Sequence, residues 1–271
     1  MSGNPENAAR FLELHHGDRP LLMPNAWDAG SARLLESIGF RAIATTSSGF
    51  AATLGRLDYA VTRQEALEHA AALAAAVEIP VSADLEDCFA TDAAGVSETV
   101  RGAVAAGLAG CSIEDWSPRE GVLLGIAEAA ERVAAAAEAA HGGETRLVLT
   151  ARAENHLRGV TDLGDTIARL QAYQEAGADA LFAPGADSAA EIRELVASVE
   201  LPVSVLARGG TPAVAELRTL GVSRVSVGGS FAFAALAAAA GAARELFEQG
   251  TYSYLQDTDR GVREARAAFA R

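Results

Sequence analysis

Acidic side chains follow three successive segments of the sequence that have the composition of buried β-strands. They are Asp58, Asp84, Glu86 and Glu114. Carboxylates that converge in one cleft repel each other unless a cation neutralises them. Oxygen ligands without a histidine or cysteine cluster favour Mg²⁺ or Mn²⁺ over zinc. The sequence therefore predicts a magnesium site, with manganese as the second choice, in which several acids hold the ion through water. The alternative is that these acids are solvated loop charges or helix caps.

Arg152 and a serine-rich turn supply groups that could bind an anion. Arg152 ends an apolar run, and a guanidinium at that position can hold a carboxylate or phosphate at two points. Its alternative role is an ion pair with Glu154. The turn Ser47-Ser48-Gly49 offers hydroxyls and backbone N–H groups, although an ordinary strand-ending turn has the same composition. Together these groups predict a site for a small anionic substrate.

The segments that must position these residues alternate between short β-rich runs and longer alanine-rich helical runs. This alternation is typical of parallel βαβ units, and eight units in about 250 residues fit a (β/α)8 barrel. A doubly wound open sheet is the alternative, but no GxGxxG motif follows the first strand. In a barrel the carboxyl ends of all strands meet at one rim, which would bring the acids, serines and arginine together. The predicted strands are Leu21–Pro24, Ala42–Thr46, Val81–Asp84, Cys111–Glu114, Leu147–Arg152, Ala180–Phe182, Val203–Leu206 and Arg224–Val227.

No shift in composition marks a linker, so residues 1–271 are predicted to form one domain with a C-terminal helical extension at residues 231–271. The apolar run Phe231–Ala243 has 13 residues, fewer than the roughly 20 of a membrane span, and predicts a buried or interface helix. We expect the C-terminal helices to exchange between subunits of a homodimer or homotetramer. The alternative is that the tail folds back on its own barrel. The predicted helices are Ala29–Ser37, Arg63–Val77, Val96–Ala105, Gly125–Ala140, Asp165–Glu175, Ala189–Val199, Thr211–Leu220, Phe231–Gln249 and Arg260–Ala270.

The composition excludes several classes of protein. All 22 basic residues are arginine, so a Schiff-base aldolase, a pyridoxal-phosphate enzyme and a Walker-type nucleotide site all lack their lysine. The net charge of −14 disfavours nucleic acid and an anionic membrane as partners. Two cysteines are too few for a disulfide framework, and no secretory signal is evident, so we expect a cytoplasmic protein.

Six short motifs, in order and at matching spacing, resemble those of the isocitrate lyase/phosphoenolpyruvate mutase superfamily. The resemblance implies a (β/α)8 barrel, a magnesium site and an α-oxo or α-hydroxy carboxylate substrate. It also implies that a C–C or C–P bond is made or broken beside a pyruvate-like enolate, in a dimer or tetramer with a swapped helix. The motifs are Pro24-Asn25-Ala26-Trp27-Asp28-Ala29, Thr45-Thr46-Ser47-Ser48-Gly49, Leu54-Gly55-Arg56-Leu57-Asp58, Asp84-Leu85-Glu86-Asp87, Ile113-Glu114-Asp115 and Ala151-Arg152-Ala153-Glu154.

The resemblance also assigns roles to individual residues. Asp84 resembles the direct metal ligand, whereas Asp58, Glu86 and Glu114 resemble the acids that hold metal-bound waters. The segment Ser47-Ser48-Gly49 resembles the one that grips the substrate carboxylate. Arg152 resembles the arginine that contacts the other end of the substrate. We expect Arg152 and Asp58 to be the catalytic residues.

The sequence departs from the superfamily pattern at two places. Glu86 stands where aspartate is usual, and Cys88 stands where a glycine is expected. The lyases carry a Lys-Lys-Cys-Gly-His loop after the fourth strand, whereas here the short segment Ser117–Gly121 is predicted to lead directly into a helix. That segment has no lysine, cysteine or histidine, which counts against an isocitrate-type lyase.

The sequence therefore predicts a magnesium-dependent enzyme that acts on a small 2-oxo or 2-hydroxy carboxylate. A lyase, a phosphonomutase and a phosphonopyruvate or oxaloacetate hydrolase all remain open. One alternative is a barrel that binds a metabolite without catalysis. Another is a phosphosugar-type barrel enzyme that uses the glycine-rich loops Gly209-Gly210 and Gly228-Gly229-Ser230.

Overall fold

The computed structural model of the chain describes residues 4–270. Its parallel strands form a barrel in which Pro24, with no N–H to donate, divides the first strand into β1 (Leu21–Met23) and β2 (Asn25–Ala26). Strand β1 pairs with the last strand, and β2 pairs with the next strand along the chain. The Asn25 side chain spans the junction, because it donates to Thr45 O at 2.7 Å and accepts from the Gly228 N–H at 2.8 Å. The divided strand therefore closes the barrel.

The remaining strands confirm the predicted parallel barrel. The sheet order is β1-β11-β10-β9-β8-β5-β4-β3-β2, and every pairing in it is parallel. An antiparallel hairpin, β6–β7, lies outside this sheet. The strand bounds are β3 (Ile43–Thr45), β4 (Val81–Asp84), β5 (Gly110–Glu114), β6 (Trp116–Ser117), β7 (Val122–Leu123), β8 (Val148–Arg152), β9 (Ala180–Phe182), β10 (Val203–Leu206) and β11 (Arg224–Ser226).

Eleven α-helices lie within the described residues, and most begin at a side-chain cap. Capping boxes join Thr62 to Glu65 and Ser188 to Glu191, which satisfies backbone N–H groups that have no partner within the helix. The main core lies between the sheet and the helices that cover it. The helices are α1 (Pro5–Leu14), α2 (Ala29–Ile38), α3 (Ser47–Thr53), α4 (Arg63–Ala76), α5 (Ala93–Ala105), α6 (Ile126–His141), α7 (Leu163–Glu175), α8 (Ala189–Ser198), α9 (Val214–Thr219), α10 (Ser230–Gln249) and α11 (Leu255–Phe269).

The structure corrects the sequence-based elements near both ends of the barrel. Helix α1 was not predicted, and its Phe11 is fully buried beside Gly110, where a Cβ would lie 2.6 Å from the Phe11 ring. The predicted turn at residues 47–49 is instead the first turn of α3, capped by Thr46. Residues 116–123 form the β6–β7 hairpin rather than running directly into the next helix. Helix α9 is shorter than predicted, and α11 begins five residues before the predicted Arg260.

The two C-terminal helices pack differently from each other. Helix α11 packs on α2 of the same chain and buries Ala268, as in the folded-back alternative, and exchange between subunits stays a prediction. Helix α10 buries only Ala232 within the chain, so of the predicted buried or interface helix only the interface form remains a prediction. By length and composition alone it is the one helix in residues 4–270 that could cross a membrane. Its exposed apolar side chains include Phe231, Phe233, Leu236, Leu246 and Phe247.

Candidate active site

A cavity of about 190 Å³ opens at the carboxyl ends of the barrel strands. Five of the residues expected from the sequence line it: Ser47, Ser48, Asp58, Asp84 and Arg152. Its volume is below the roughly 300–1,000 Å³ of pockets for drug-sized ligands, so it suits a small substrate. The other lining residues are Met23, Asn25, Ala44, Thr45, Thr46, Ser82, Ala83, Ser112, Thr150, Phe182, Leu206, Arg224, Ser226, Gly228 and Gly229.

Three residues expected at the site do not line the cavity. Gly49 is buried, and a Cβ there would lie 2.5 Å from Thr46 Cγ2, so this glycine serves close packing. Glu86 and Glu114 are also buried, with only 3% and 4% of their surfaces exposed. Glu86 and Glu114 therefore influence the cavity only through neighbouring side chains that line it.

Asp84 lies at the end of β4 and is joined to the α3 segment. The Ser47 N–H donates to Asp84 Oδ2 at 3.2 Å, and the Asp84 N–H donates to Thr45 Oγ1 at 2.9 Å. Asp84 Oδ1 is buried without a hydrogen bond, and Arg152 Nη1 lies 3.8 Å away. This carboxylate therefore has an oxygen available to a cation.

The α3 segment presents its N-terminal turn to the cavity. Thr46 Oγ1 accepts the Gly49 N–H at 3.3 Å, while Asp84 accepts the N–H of Ser47. The Ser48 N–H has no protein partner among the described residues. Since a Cβ at Gly229 would lie 2.7 Å from Ser48 Oγ, glycine at that position leaves room for the serine hydroxyl. This turn can donate to a carboxylate.

Asp58 is an exposed residue at the mouth of the cavity. Desolvation of its carboxylate by the cavity wall and the nearby charge of Asp84 raise its pKa. Hydrogen bonds from the Ser47 hydroxyl and the Tyr59 N–H act in the opposite direction. A cation between Asp58 and Asp84 would remove their repulsion.

Glu86 lies in a strained loop directly after β4. Its φ is 51°, and Cys88 and Phe89 also have left-handed values of 58° and 52°. Such conformations cost about 1–3 kcal/mol each for residues other than glycine and persist when surrounding packing enforces them. Glu86 Oε1 is buried without a hydrogen bond, and burial together with the charge of Asp84 raises its pKa to about 9. Burial also raises the pKa of the Cys88 thiol, so this cysteine is an inert core residue.

Arg152 is the positive charge at the centre of the acid cluster. Its Nη1 lies 3.4 Å from Glu114 Oε2, and its Nε donates to Glu154 Oε1. Burial opposes the charge on Arg152, but Glu114, Glu154 and Asp84 hold its pKa above its ordinary value. Arg152 therefore forms the ion pair with Glu154 that the sequence offered as an alternative role, and it also lines the cavity. Arg152 can neutralise an anionic substrate only by sharing its charge with these acids.

Sequence reasoning missed Tyr59 and Arg158. The Tyr59 hydroxyl donates to Glu114 Oε1 at 2.8 Å, and its φ is 63°. Arg158 donates to the Tyr59 hydroxyl and to Glu154 Oε2, and its guanidinium carbon lies 4.1 Å from the centre of the Trp116 ring. The only sequence signal was that Tyr59 adjoins Asp58. This network holds the β6–β7 hairpin against the acid cluster.

The geometry fits a cation held by few direct ligands. Among residues 4–270 no group of three or more histidine, cysteine, aspartate or glutamate side chains could hold a metal ion together. The buried oxygens Asp84 Oδ1 and Glu86 Oε1 nevertheless lack hydrogen bonds, which is the signature of groups that need a cation or water. Magnesium usually keeps several waters and binds one or two carboxylates. The donor set therefore fits magnesium.

Comparisons with known proteins agree with this fold. The family model described as phosphoenolpyruvate phosphomutase matches residues 11–247. The uncharacterized protein Rv1998c of Mycobacterium tuberculosis H37Rv is 36% identical over 87% of this chain and 88% of its own length. An oxaloacetate decarboxylase of Bradyrhizobium sp. BTAi1 is 32% identical over 78% of this chain and 74% of its own length. A crystal structure from Burkholderia cenocepacia J2315, provisionally described as a lyase/mutase, has a TM-score of 0.90 and 46% identity, covering 93% of this chain and 91% of its own.

Proposed function

The chain belongs to the phosphoenolpyruvate phosphomutase family, and from this premise we propose that it decarboxylates a small 2-oxo dicarboxylate of the oxaloacetate class with the help of Mg²⁺. Lyases and mutases of this superfamily act on C–C or C–P bonds of small carboxylates. The similarity to an oxaloacetate decarboxylase supports the choice of reaction. Mn²⁺ is the second candidate for the metal.

The observation that carries the proposal is the chemistry of the cavity wall. Its described lining contains no thiol or imidazole, and the β6–β7 hairpin beside it has no cysteine, histidine or lysine. An aldol-type cleavage needs a base to remove the proton of a hydroxyl group, and the only acids in the described lining, Asp58 and Asp84, are assigned to the metal. Decarboxylation of a 2-oxo dicarboxylate needs only stabilisation of the negative charge that develops on the 2-oxygen. The site is equipped for the second task.

The residues of the chain have distinct parts in this reaction. The N-terminal turn of α3, with Ser47 and Ser48, binds the carboxylate next to the 2-oxo group. The bond between C3 and the departing carboxylate breaks, and CO2 leaves. The electron pair of that bond forms the C2–C3 double bond of an enolate, and negative charge develops on the 2-oxygen. Arg152 stabilises that charge, and a water at the mouth beside Asp58 returns a proton to C3. Bound Mg²⁺ would supply further positive charge beside Asp84.

The phosphosugar alternative has only half of its expected loops at the cavity. Gly228 and Gly229 line it, whereas Gly209 and Gly210 do not. The carboxylate reaction accounts for more of the lining.

Helix α10 supports the further proposal that the protein is a cytoplasmic homo-oligomer. Its side chains Phe233, Leu236 and Phe247 are 48%, 50% and 90% exposed within one chain. A second copy of the chain would remove this apolar surface from water. Cys88 and Cys111 are free and buried, which suits a reducing compartment.

The test of the reaction is a substrate panel measured with and without Mg²⁺. Oxaloacetate, phosphonopyruvate and 2-methylisocitrate are supplied, and release of CO2, phosphate or succinate, respectively, is followed. We expect oxaloacetate to react fastest, with a rate above that of Mg²⁺ alone. Arg152→Met should lose this rate, whereas Arg63→Met, which removes a surface ion pair, should retain it. Faster cleavage of 2-methylisocitrate would identify a lyase instead, and no turnover of any substrate would favour the metabolite-binding alternative.

A further inference from the structure

A second arginine lies inside the barrel beneath the acid cluster. Arg224 on β11 is only 4% exposed. Its Nε donates to Ser204 Oγ at 2.9 Å, and its Nη1 donates to Thr150 Oγ1 and His15 Nε2, each at 3.0 Å. The hydroxyls of Ser204 and Thr150 are neutral, and His15 is the one partner of the three that could carry a charge. The charge state of His15 therefore decides how the guanidinium is compensated.

His15 is a neutral acceptor. Its Nδ1 lies 2.8 Å from the Phe11 carbonyl oxygen, which can only accept, so the ring proton is on Nδ1 and Nε2 carries a lone pair. Burial and the charge of Arg224 lower the pKa of His15 to about 3. The histidine orients Arg224 without supplying negative charge.

Arg224 differs in this respect from Arg152 and Arg169. Arg152 lies among three carboxylates, and Arg169 pairs with Asp115 at 2.9 Å and Asp165 at 2.8 Å. Arg224 forms no ion pair with any residue from 4 to 270. Burial lowers its pKa to about 10, and no acid acts against that shift. A buried charge without a counter-charge is strongly unfavourable in a protein interior.

The remaining nitrogen of the Arg224 guanidinium, Nη2, is the one available to the cavity. Arg224 lines it, and Nη2 makes no hydrogen bond within the described chain. Hydroxyl side chains surround the same floor, with Ser82, Thr150 and Ser226 each at most 6% exposed. Thr150 precedes Arg152 by two residues on β8, so this floor lies roughly 6.6 Å below the level of Arg152. The floor is a separate cationic, hydroxyl-lined position.

We propose that Arg224 and these hydroxyls bind a small anion at the floor of the barrel, with one negative charge and no larger than a carboxylate group. Arg224 Nη2 donates to it, and the serine and threonine hydroxyls complete its shell. Two sources have this chemistry: an inorganic ion such as chloride, or a carboxylate of a bound dicarboxylate. The proposal does not rest on the decarboxylation reaction, and its test involves no turnover.

Thermal unfolding in metal-free buffer tests the site. The sodium salts of chloride, formate, oxalate and gluconate are compared at equal ionic strength, gluconate being too large for the floor. We expect chloride and formate to raise the Tm of the parent saturably, on the order of 3 °C, and gluconate to have no such effect. Arg224→Met should lose the saturable rise and melt no lower than the parent in gluconate. Arg169→Met, the matched control, should melt lower in every salt and keep the rise.

A direct measurement keeps the proposal falsifiable if Arg224→Met does not fold. The ³⁵Cl NMR line of chloride should be broadened by the parent, narrowed by added formate, and left narrow by a second variant, Arg224→Gln. A rise in Tm with oxalate alone, lost in Arg224→Gln, would assign the anion to a dicarboxylate. Equal Tm values in all four salts, together with no line broadening, would overturn the proposal. An unchanged response in Arg224→Gln would also overturn it.

Discussion

The Ser47 N–H donates to Asp84 Oδ2 at 3.2 Å. The turn that is proposed to bind the substrate carboxylate is therefore bonded directly to the residue proposed to hold the metal. One oxygen of Asp84 positions α3, and the other, Oδ1, has no hydrogen bond. A cation that binds Oδ1 would sit beside the carboxylate site without breaking the bond to Ser47.

Asp84→Asn should remove the response of the protein to magnesium. The substitution keeps an acceptor for Ser47 but removes the charge that attracts the ion. A ligand at a hundred times its Kd stabilises the folded state by about 2.7 kcal/mol, so Mg²⁺ or Mn²⁺ should raise the parent Tm clearly. Calorimetric or fluorescence melting measures this. Glu98→Gln, at an exposed ion pair, is the control and should respond like the parent. An Asp84→Asn protein with the parent response would show that the metal lies elsewhere.

The barrel and the location of the site follow from sequence rules. Alternating strands and helices predict parallel βαβ units, and such units collect polar strand ends at one rim. Asp84 and Arg152 are the last residues of β4 and β8, so their placement needed no tertiary information. Helix α1 carried a readable signal as well, because Asn4 caps it and Pro5 begins it. It lies before the first βα unit, and the barrel pattern therefore gave no reason to look for it.

Other parts of the site depend on tertiary structure and could not be predicted. Glu86 is turned into the interior by a backbone conformation that its sequence disfavours. The bond between Tyr59 and Glu114 joins residues 55 positions apart. Gly49 belongs to a segment expected to bind substrate, but packing against Thr46 and Ala232 explains it. Periodicity and strand ends contain no information about such contacts.

Borohydride should trap no covalent adduct with oxaloacetate or pyruvate. The chain has no lysine side chain, so no imine of that type can form. Mass spectrometry of the treated protein measures this, with a lysine-dependent aldolase as the positive control. Decarboxylation should instead stop with excess chelator and return with Mg²⁺. Full activity in chelator would exclude a metal-assisted reaction.

Asp179→Asn should destabilise the fold in a pH-dependent way. Burial favours the neutral acid, but hydrogen bonds from His141, the Leu149 N–H and Arg146 outweigh it and lower the pKa of Asp179. Because the folded-state pKa is lowered, the stabilisation is complete above the unfolded value near 3.8. It is lost as the pH falls through the folded-state pKa.

Urea unfolding at several pH values measures this effect. At pH 7 we expect Asp179→Asn to cost about 1–3 kcal/mol, and the difference from the parent should shrink below pH 4. Asp257→Asn, at an exposed ion pair with Arg260, should change stability by less than about 0.5 kcal/mol. A cost for Asp179→Asn that stays constant from pH 7 to pH 3 would contradict the assignment.

Charged substitutions on α10 should lower the oligomeric state. Leu236→Glu and Leu246→Glu place charges on side chains that are 50% and 48% exposed within one chain, so each monomer should still fold. Light scattering at micromolar concentration should show a dimer or tetramer for the parent and a smaller mass for the variants. Ile38→Glu, at an exposed position outside α10, should keep the parent mass. A monomeric parent would refute the oligomer.

Calorimetric titration of oxalate, a mimic of the pyruvate enolate, tests the metal-assisted carboxylate site most directly. The parent should bind oxalate at least about tenfold more tightly with Mg²⁺ than without it, a difference of about 1.4 kcal/mol. Asp84→Asn should lose that metal-dependent gain, and Glu98→Gln should retain it. The account is contradicted if the parent binds oxalate equally well with and without Mg²⁺, or if Asp84→Asn keeps the full gain.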